Sequence, residues 1–275
     1  MRRNRWTSNS DRKDAGLKFN ITNRCICCDW VDLELKQHII SPFIAHRLFR
    51  EICDVFYGVN SLTCRNCGTM FLDIRYTDEQ MGLIYNNYRD EEYISIREAY
   101  ETEYRTINGF MDKQVPYMKE IENMIEPHIS KFPVSILDYG GDTGINAPFS
   151  DRRLDVYDIG NTPVIDGAVK IDKITDKYDL VVCANVLEHV PYPLDILTEI
   201  TEYMNGLLYI EVPIDGFPYS GWHEHVNLFS GKGVEIMLDR CGLEIIDKKS
   251  FTAEITPGIV ELKQIGILVK RKDKL

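Results

Sequence analysis

From residue 133 onward the chain alternates short apolar runs with helical stretches, and that alternation leaves few folds open. PVSILDYG, RLDVYDIG, YDLVVCANV and GLLYIEVP read as buried strands, while DILTEITEYM and SGKGVEIMLDRCG have the spacing of amphipathic helices. Strands that alternate with helices predict an α/β fold, a mostly parallel sheet covered on both faces. The tail differs. GLEIIDKKSF and KQIGILVKRK succeed each other with no helix between them, so an antiparallel pair is expected at one sheet edge.

The first of these strands runs into LDYGGDTGIN, residues 137–146, which holds Gly140, Gly141 and Gly144 within five positions. Such a loop receives a nucleotide or is an ordinary glycine turn. A dinucleotide fingerprint of the G-x-G-x-x-G type starting at Gly140 needs glycines at 142 and 145. Asp142 and Ile145 stand there, and no phosphate loop of the G-x-x-x-x-G-K type is present. An aspartate in the loop would repel a pyrophosphate but sits well beside a cation. The next strand places Asp158 twenty residues after Asp138. An acid at the end of the second strand can bind both ribose hydroxyls, or it is only a solvated strand end.

Six of the eight cysteines precede residue 68: Cys25, Cys27, Cys28, Cys53, Cys64 and Cys67. Cys25 with Cys28, and Cys64 with Cys67, make two C-x-x-C knuckles whose four thiolates can close a tetrahedron around a structural zinc ion. Gly68 suits the tight turn after the second knuckle. Cys27 could replace a neighbour at poorer spacing, and Cys53, in EICDVFYG, reads as a buried thiol. A redox dithiol would need a βαβ setting that this segment lacks. Between the cysteines and the alternating region, Asp78–Tyr88 and Glu98–Met124 have helical periodicity. The expected organisation is a zinc ribbon over 1–77, a helical bridge over 78–130 and a cofactor-binding domain over 131–275.

Three stretches carry a resemblance. Asp138, Gly140 and Gly144 fall in register with the D-x-G-x-G-x-G loop of class I S-adenosylmethionine-dependent methyltransferases, with Asp142 in place of the middle glycine. VKIDKITDKYDLVVCANVLEHVPYP is similar to the segment of their small-molecule members that ends in an apolar-LEH sequence and a proline. CRNCGTMFLDIRYTDEQMGLIYNNY, residues 64–88, resembles the segment that closes and leaves an N-terminal zinc ribbon in that group. The resemblance implies a Rossmann-like sheet, with S-adenosylmethionine contacted from Asp138, Tyr139, Gly140, Gly141, Asp142, Gly144, Asp158 and Ile159. Ile171 and Asp172 would border the adenine, and Asn185, Val186 and His189 would come after the fourth strand. It also implies a structural zinc on Cys25, Cys28, Cys64 and Cys67. Members often methylate sugars, nucleotide-linked sugars or natural products.

Methyl transfer to oxygen or carbon needs a base, and histidine suits that task near neutral pH. After the fifth strand, GWHEHVNLFS offers His223 and His225. The group often has a histidine before an apolar-Phe-Ser/Thr stretch here, which His225, Phe229 and Ser230 match. His225 is the expected base, ahead of His223 and His189, although a histidine at such a turn can also simply cap a helix. Tyr85, Tyr88 and Tyr192 could line the acceptor pocket. A catalytic metal on the HEH stretch and Glu188 is disfavoured, since these residues come from separate loops.

A net charge of −11 opposes a broad nucleic-acid footprint. A nucleic-acid methyltransferase that grips its substrate with the ribbon is therefore the weaker enzyme reading, and a non-catalytic cofactor-binding scaffold is a third. No apolar stretch is long enough to span a bilayer and the N-terminus lacks an apolar signal core, so a cytoplasmic protein is expected.

Overall fold

The computed structural model describes residues 20–49, 58–129, 134–214, 224–256 and 260–272. In chain order these form β1 (Asn20–Ile21), β2 (Leu33–Ile39), α1 (Pro42–Phe49), β3 (Gly58–Cys64), β4 (Met70–Leu72) and β5 (Ile74–Arg75). The bridge comes next as α2 (Asp78–Tyr85), α3 (Glu91–Glu98), α4 (Tyr104–Met111) and α5 (Met118–Ile125). Then come β6 (Ser135–Tyr139), β7 (Arg153–Tyr157), β8 (Ala168–Lys170), β9 (Tyr178–Ala184), α6 (Pro193–Tyr203) and β10 (Met204–Pro213). The last elements are β11 (Asn227–Leu228), α7 (Gly231–Arg240), β12 (Leu243–Thr256) and β13 (Val260–Arg271).

The central sheet has seven strands in the order β12-β13-β10-β9-β6-β7-β8. β8, β7, β6, β9 and β10 run parallel. β13 inserts antiparallel between β10 and β12, so the expected antiparallel pair lies at that edge. Strand order reverses between β6 and β9, which opens a crevice at their carboxyl ends. LDYGG and ANVLEH leave the sheet at that crevice. β9 and β10 are apolar almost throughout because helices or further chain cover both faces.

The bridge departs from the expected continuous helix over Glu98–Met124. α3 ends at Glu98, where that helix is expected to begin, and the range then forms α4 and α5 with turns over 99–103 and 112–117. Pro116 cannot supply an interior amide hydrogen and restrains the residue before it, which explains the second break. The helix starts are locally encoded. Thr77 and Gln80 form a reciprocal capping box, and Asp90 caps α3 by accepting from the Tyr93 amide.

A second sheet of four strands, β11-β4-β3-β2, carries the cysteine knuckles. Its fourth strand is not local. Asn227 and Leu228 pair antiparallel with Phe71 and Met70. One apolar core therefore runs from the knuckle cysteines and Phe71 through β9 and β10 to α6 and α7. The other sheet face packs on α5, and a third core joins α1 to the bridge tyrosines.

Candidate active site

The glycine loop is shaped by close approaches. Gly140 has φ +75°, and a Cβ there would stand 2.5 Å from Val186 Cγ2. A Cβ at Gly141 would collide with the Asp138 carboxylate. Gly144 has φ +79°, and a Cβ there would press on Val156. At the first two positions only glycine lets the backbone cradle pack this closely against Val186 and Asp138. Asp142 also takes the left-handed region, at φ +50°.

Three carboxylates surround this loop. Asp138 is buried, and its pKa is pushed up to about 7 by burial and then by the charges of Asp158 and Asp142. Asp158 accepts from the Asp142 amide at 3.0 Å and from the Gly160 amide at 2.6 Å. Burial raises its pKa against those bonds and the charge of Lys170. In Asp142 one carboxylate oxygen pairs with Arg89, while Oδ1 is buried with no hydrogen-bond partner among the described residues. An acid-lined, glycine-floored crevice with an orphaned buried acceptor fits a cationic nucleoside cofactor such as S-adenosylmethionine.

The other expected cofactor positions divide. Val186 lies directly over Gly140. Tyr139 is a core residue whose hydroxyl donates to Glu199 on α6 at 3.4 Å. Ile159 is 46% exposed, Asp172 is exposed, and Ile171 is half-buried with its amide on Val156 O. Asn185 has φ 54°, and its side chain accepts from Gln264 at 2.7 Å. It also bonds Glu211, which takes hydroxyls from Tyr117 at 2.9 Å and Tyr209 at 2.6 Å. Asn185, itself exposed, thus ties its side-chain amide to the buried Gln264 and Glu211.

Beyond Val186 the same loop carries Glu188 and His189 toward His225. The His189 and His225 rings meet edge to face, 4.6 Å between centroids. Tyr85, at the end of α2, hydrogen-bonds His189 Nδ1 at 3.0 Å, and Tyr88 packs edge-on against Tyr85. Tyr192, by contrast, is 46% exposed. Burial and then the charge of Arg97 lower the His189 pKa to about 4, so the ring is neutral. Glu188 is 1% exposed, and burial pushes its pKa up to about 8. Glu224 receives hydrogen bonds from Tyr93 and Arg97. Glu188, His189 and His225 lie close enough to share a small cation. His223, like Cys53, lies outside the described residues.

Two residues that sequence reasoning did not single out hold these loops together. Asn227 is fully buried. Its amide donates to Glu188 O at 3.0 Å, and its side chain donates to Leu187 O at 2.8 Å and Val190 O at 2.7 Å. Arg75, also buried, donates to Asn227 Oδ1 at 2.6 Å, Pro191 O at 3.0 Å, Val226 O at 3.1 Å and Leu72 O. Among the described residues it pairs with no carboxylate, and burial lowers its pKa to about 10. Arg75 stands inside the segment 64–88, but Pro191, Val226 and Asn227 lie more than a hundred residues away, so nothing local could reveal them.

The four knuckle thiols converge. Cys25 and Cys67 sulfurs are 3.5 Å apart, as are those of Cys28 and Cys64, and all four lie within 4.8 Å of one another. A zinc tetrahedron with bonds of about 2.3 Å has edges of about 3.8 Å, so the set fits. Cys27 is buried outside this group.

Residues 105–248, more than half of the chain, match the family described as methyltransferase domain. A similar solved structure is the 1,6-didemethyltoxoflavin N1-methyltransferase of Burkholderia thailandensis, with its substrate and S-adenosylhomocysteine bound. It is 15% identical, with a TM-score of 0.50, over 66% of this chain and 90% of that one. The magnesium protoporphyrin IX methyltransferase of Synechocystis, with S-adenosylhomocysteine bound, is 13% identical with a TM-score of 0.45. That match covers 61% of this chain and 86% of that one. No curated protein matches the sequence. The seven-stranded order, the glycine loop at its crevice and this match together show that the chain belongs to the methyltransferase domain family, with the fold of the class I S-adenosylmethionine-dependent methyltransferases.

Proposed function

We propose that the protein methylates a small, hydroxyl-rich acceptor, a sugar, nucleotide-linked sugar or glycan precursor, with His225 as general base. The observation that carries this reading is the continuity of one loop. Val186 touches the glycine cradle, and three residues later His189 meets His225 and Tyr85. The cofactor supplies an electrophilic methyl group. The chain's own part is to hold the acceptor in line and remove its proton. His225 is half-buried and sits against the neutral His189 ring, which is itself a hydrogen-bonding group for an acceptor hydroxyl. His189 is too weak a base to share the task near neutral pH, because its pKa is lowered to about 4. The Tyr85 and Tyr88 hydroxyls are held neutral by burial and supply an aromatic, hydrogen-bonding wall, as sugar rings require. A net charge of −11 does not favour nucleic acid as the acceptor.

A structural zinc on Cys25, Cys28, Cys64 and Cys67 completes the proposal, and Cys27 is not a ligand. Its role is to fix the sheet that pairs with β11 and whose strand β4 leads on to Arg75. The reading is tested by titrating the protein with S-adenosylmethionine and S-adenosylhomocysteine, then screening nucleotide-sugar acceptors by mass. Binding of both cofactors and a gain of one methyl on a sugar are expected. Turnover confined to nucleic acid would overturn the acceptor assignment.

A further inference from the structure

Asp142 replaces the one loop glycine that the D-x-G-x-G-x-G pattern leads one to expect, and the structure shows what stands opposite it. Arg89 reaches from the turn between α2 and α3, and its Nη1 pairs with Asp142 Oδ2. The Arg89 side chain is only 6% exposed. Its Nε donates to Asn108 Oδ1 at 2.8 Å, and its Nη2 donates to Asp112 and to Asn108 O. One guanidinium therefore ties α4 and the bridge turn to the cofactor loop. Both ends of the pair are held in left-handed backbone, at φ 63° and 50°. That conformation is costly away from glycine and persists where surroundings enforce it. The pair leaves one acceptor unspent, since Asp142 Oδ1 is buried with no hydrogen bond among the described residues. A buried carboxylate oxygen without a donor costs free energy that a bound cation would restore.

We infer that Asp142 accepts the α-ammonium of the cofactor's amino-acid end and that Arg89 is a positioning residue that aims the carboxylate. The inference rests on S-adenosylmethionine as the cofactor. Asp142 fits the ammonium because the neighbouring Asp158 is already engaged by two backbone amides and lies where a ribose is expected. Arg89 cannot itself bind the cofactor carboxylate in this arrangement, because it is committed to Asp142, Asn108 and Asp112. Specificity for a charged amino group is thereby transmitted from the bridge, a segment outside the sheet.

The test is calorimetric titration of the full chain with S-adenosylhomocysteine and with its des-amino analogue, which keeps the nucleoside, thioether and carboxylate. Wild type is expected to prefer the amino compound by about tenfold to a hundredfold, the range of a charge-assisted hydrogen bond. Asp142→Asn and Asp142→Gly should erase that preference while leaving affinity for the analogue unchanged. Asp142→Gly also guards against misfolding, because glycine accepts the left-handed backbone. Arg89→Ala should shrink the preference, Arg89→Lys should retain part of it, and Arg89→Ala should add nothing in the Asp142→Gly background. Equal preference in wild type and Asp142→Asn would overturn the assignment while leaving the cofactor intact. Parallel losses for both compounds in every variant would show a purely structural pair. Failure of wild type to bind S-adenosylhomocysteine at all would instead remove the cofactor reading, and the assignment with it.

Discussion

At the scale of single residues, the proposed site separates binding from proton transfer. His225→Gln should lower kcat by about a hundredfold to ten-thousandfold, the usual worth of a general base, and leave S-adenosylhomocysteine affinity within about twofold by calorimetry. Full turnover in that variant would remove His225 from the chemistry. Gly141→Ala should do the reverse and abolish cofactor binding, because its Cβ collides with the Asp138 carboxylate. Asp138 adds a pH dependence with a definite sign. Its pKa is raised to about 7 in the free protein, and a cationic ligand favours the carboxylate. Affinity for S-adenosylmethionine should therefore be full above about pH 8 and fall as pH drops through 7, by up to about tenfold per unit. Proton release, measured in buffers of different ionisation enthalpy, checks it. The glycine loop was legible in the sequence, since Asp138, Gly140 and Gly141 stand in a local pattern. Arg89 and the burial that makes His189 neutral were not, because both depend on which segment folds over which.

At the scale of elements, the puzzle is how two loops from separate strands hold histidine rings in contact. Asn227 and Arg75 are the answer, a side-chain amide and a guanidinium that satisfy carbonyls from the LEHV loop, the HV loop and β4. Asn227→Ala should cost about 2–4 kcal/mol in denaturant unfolding, because it strands buried carbonyls and one arm of a buried guanidinium. Turnover should fall further than cofactor affinity. A cost within about 0.5 kcal/mol would show that the loops hold without it. Periodicity made the strands, α6, α7 and the antiparallel edge readable in advance. It misread the bridge as longer helix, because the apolar positions of α4 and α5 repeat smoothly across the turn that Pro116 enforces.

At the scale of the whole molecule, the strongly shifted groups predict an unusual stability profile. Glu188 and Asp138 keep their protons in the native cofactor-free state to about pH 8 and 7, whereas the unfolded chain releases them near pH 4. Raised acids make rising pH destabilising over that interval. His189, lowered to about 4, acts in the opposite sense, since the unfolded ring binds a proton below about pH 6.5 while the native ring does not. The effects oppose each other below pH 6.5, and only the acids remain above it. The Tm of cofactor-free protein should therefore decline between about pH 6.5 and 8, and saturating cofactor should flatten the decline. If the proposed zinc is bound, chelating it should lower Tm and abolish turnover more than it weakens cofactor binding, checked by metal analysis against calorimetry. The pairing of β11 with β4 bears on biosynthesis as well. The cysteine knuckles leave the ribosome early, yet the strand that completes their sheet is translated only after the five parallel strands of the central sheet. The amino-terminal module must then wait with one sheet edge open until most of the chain has emerged, and the antiparallel edge of the central sheet is completed later still.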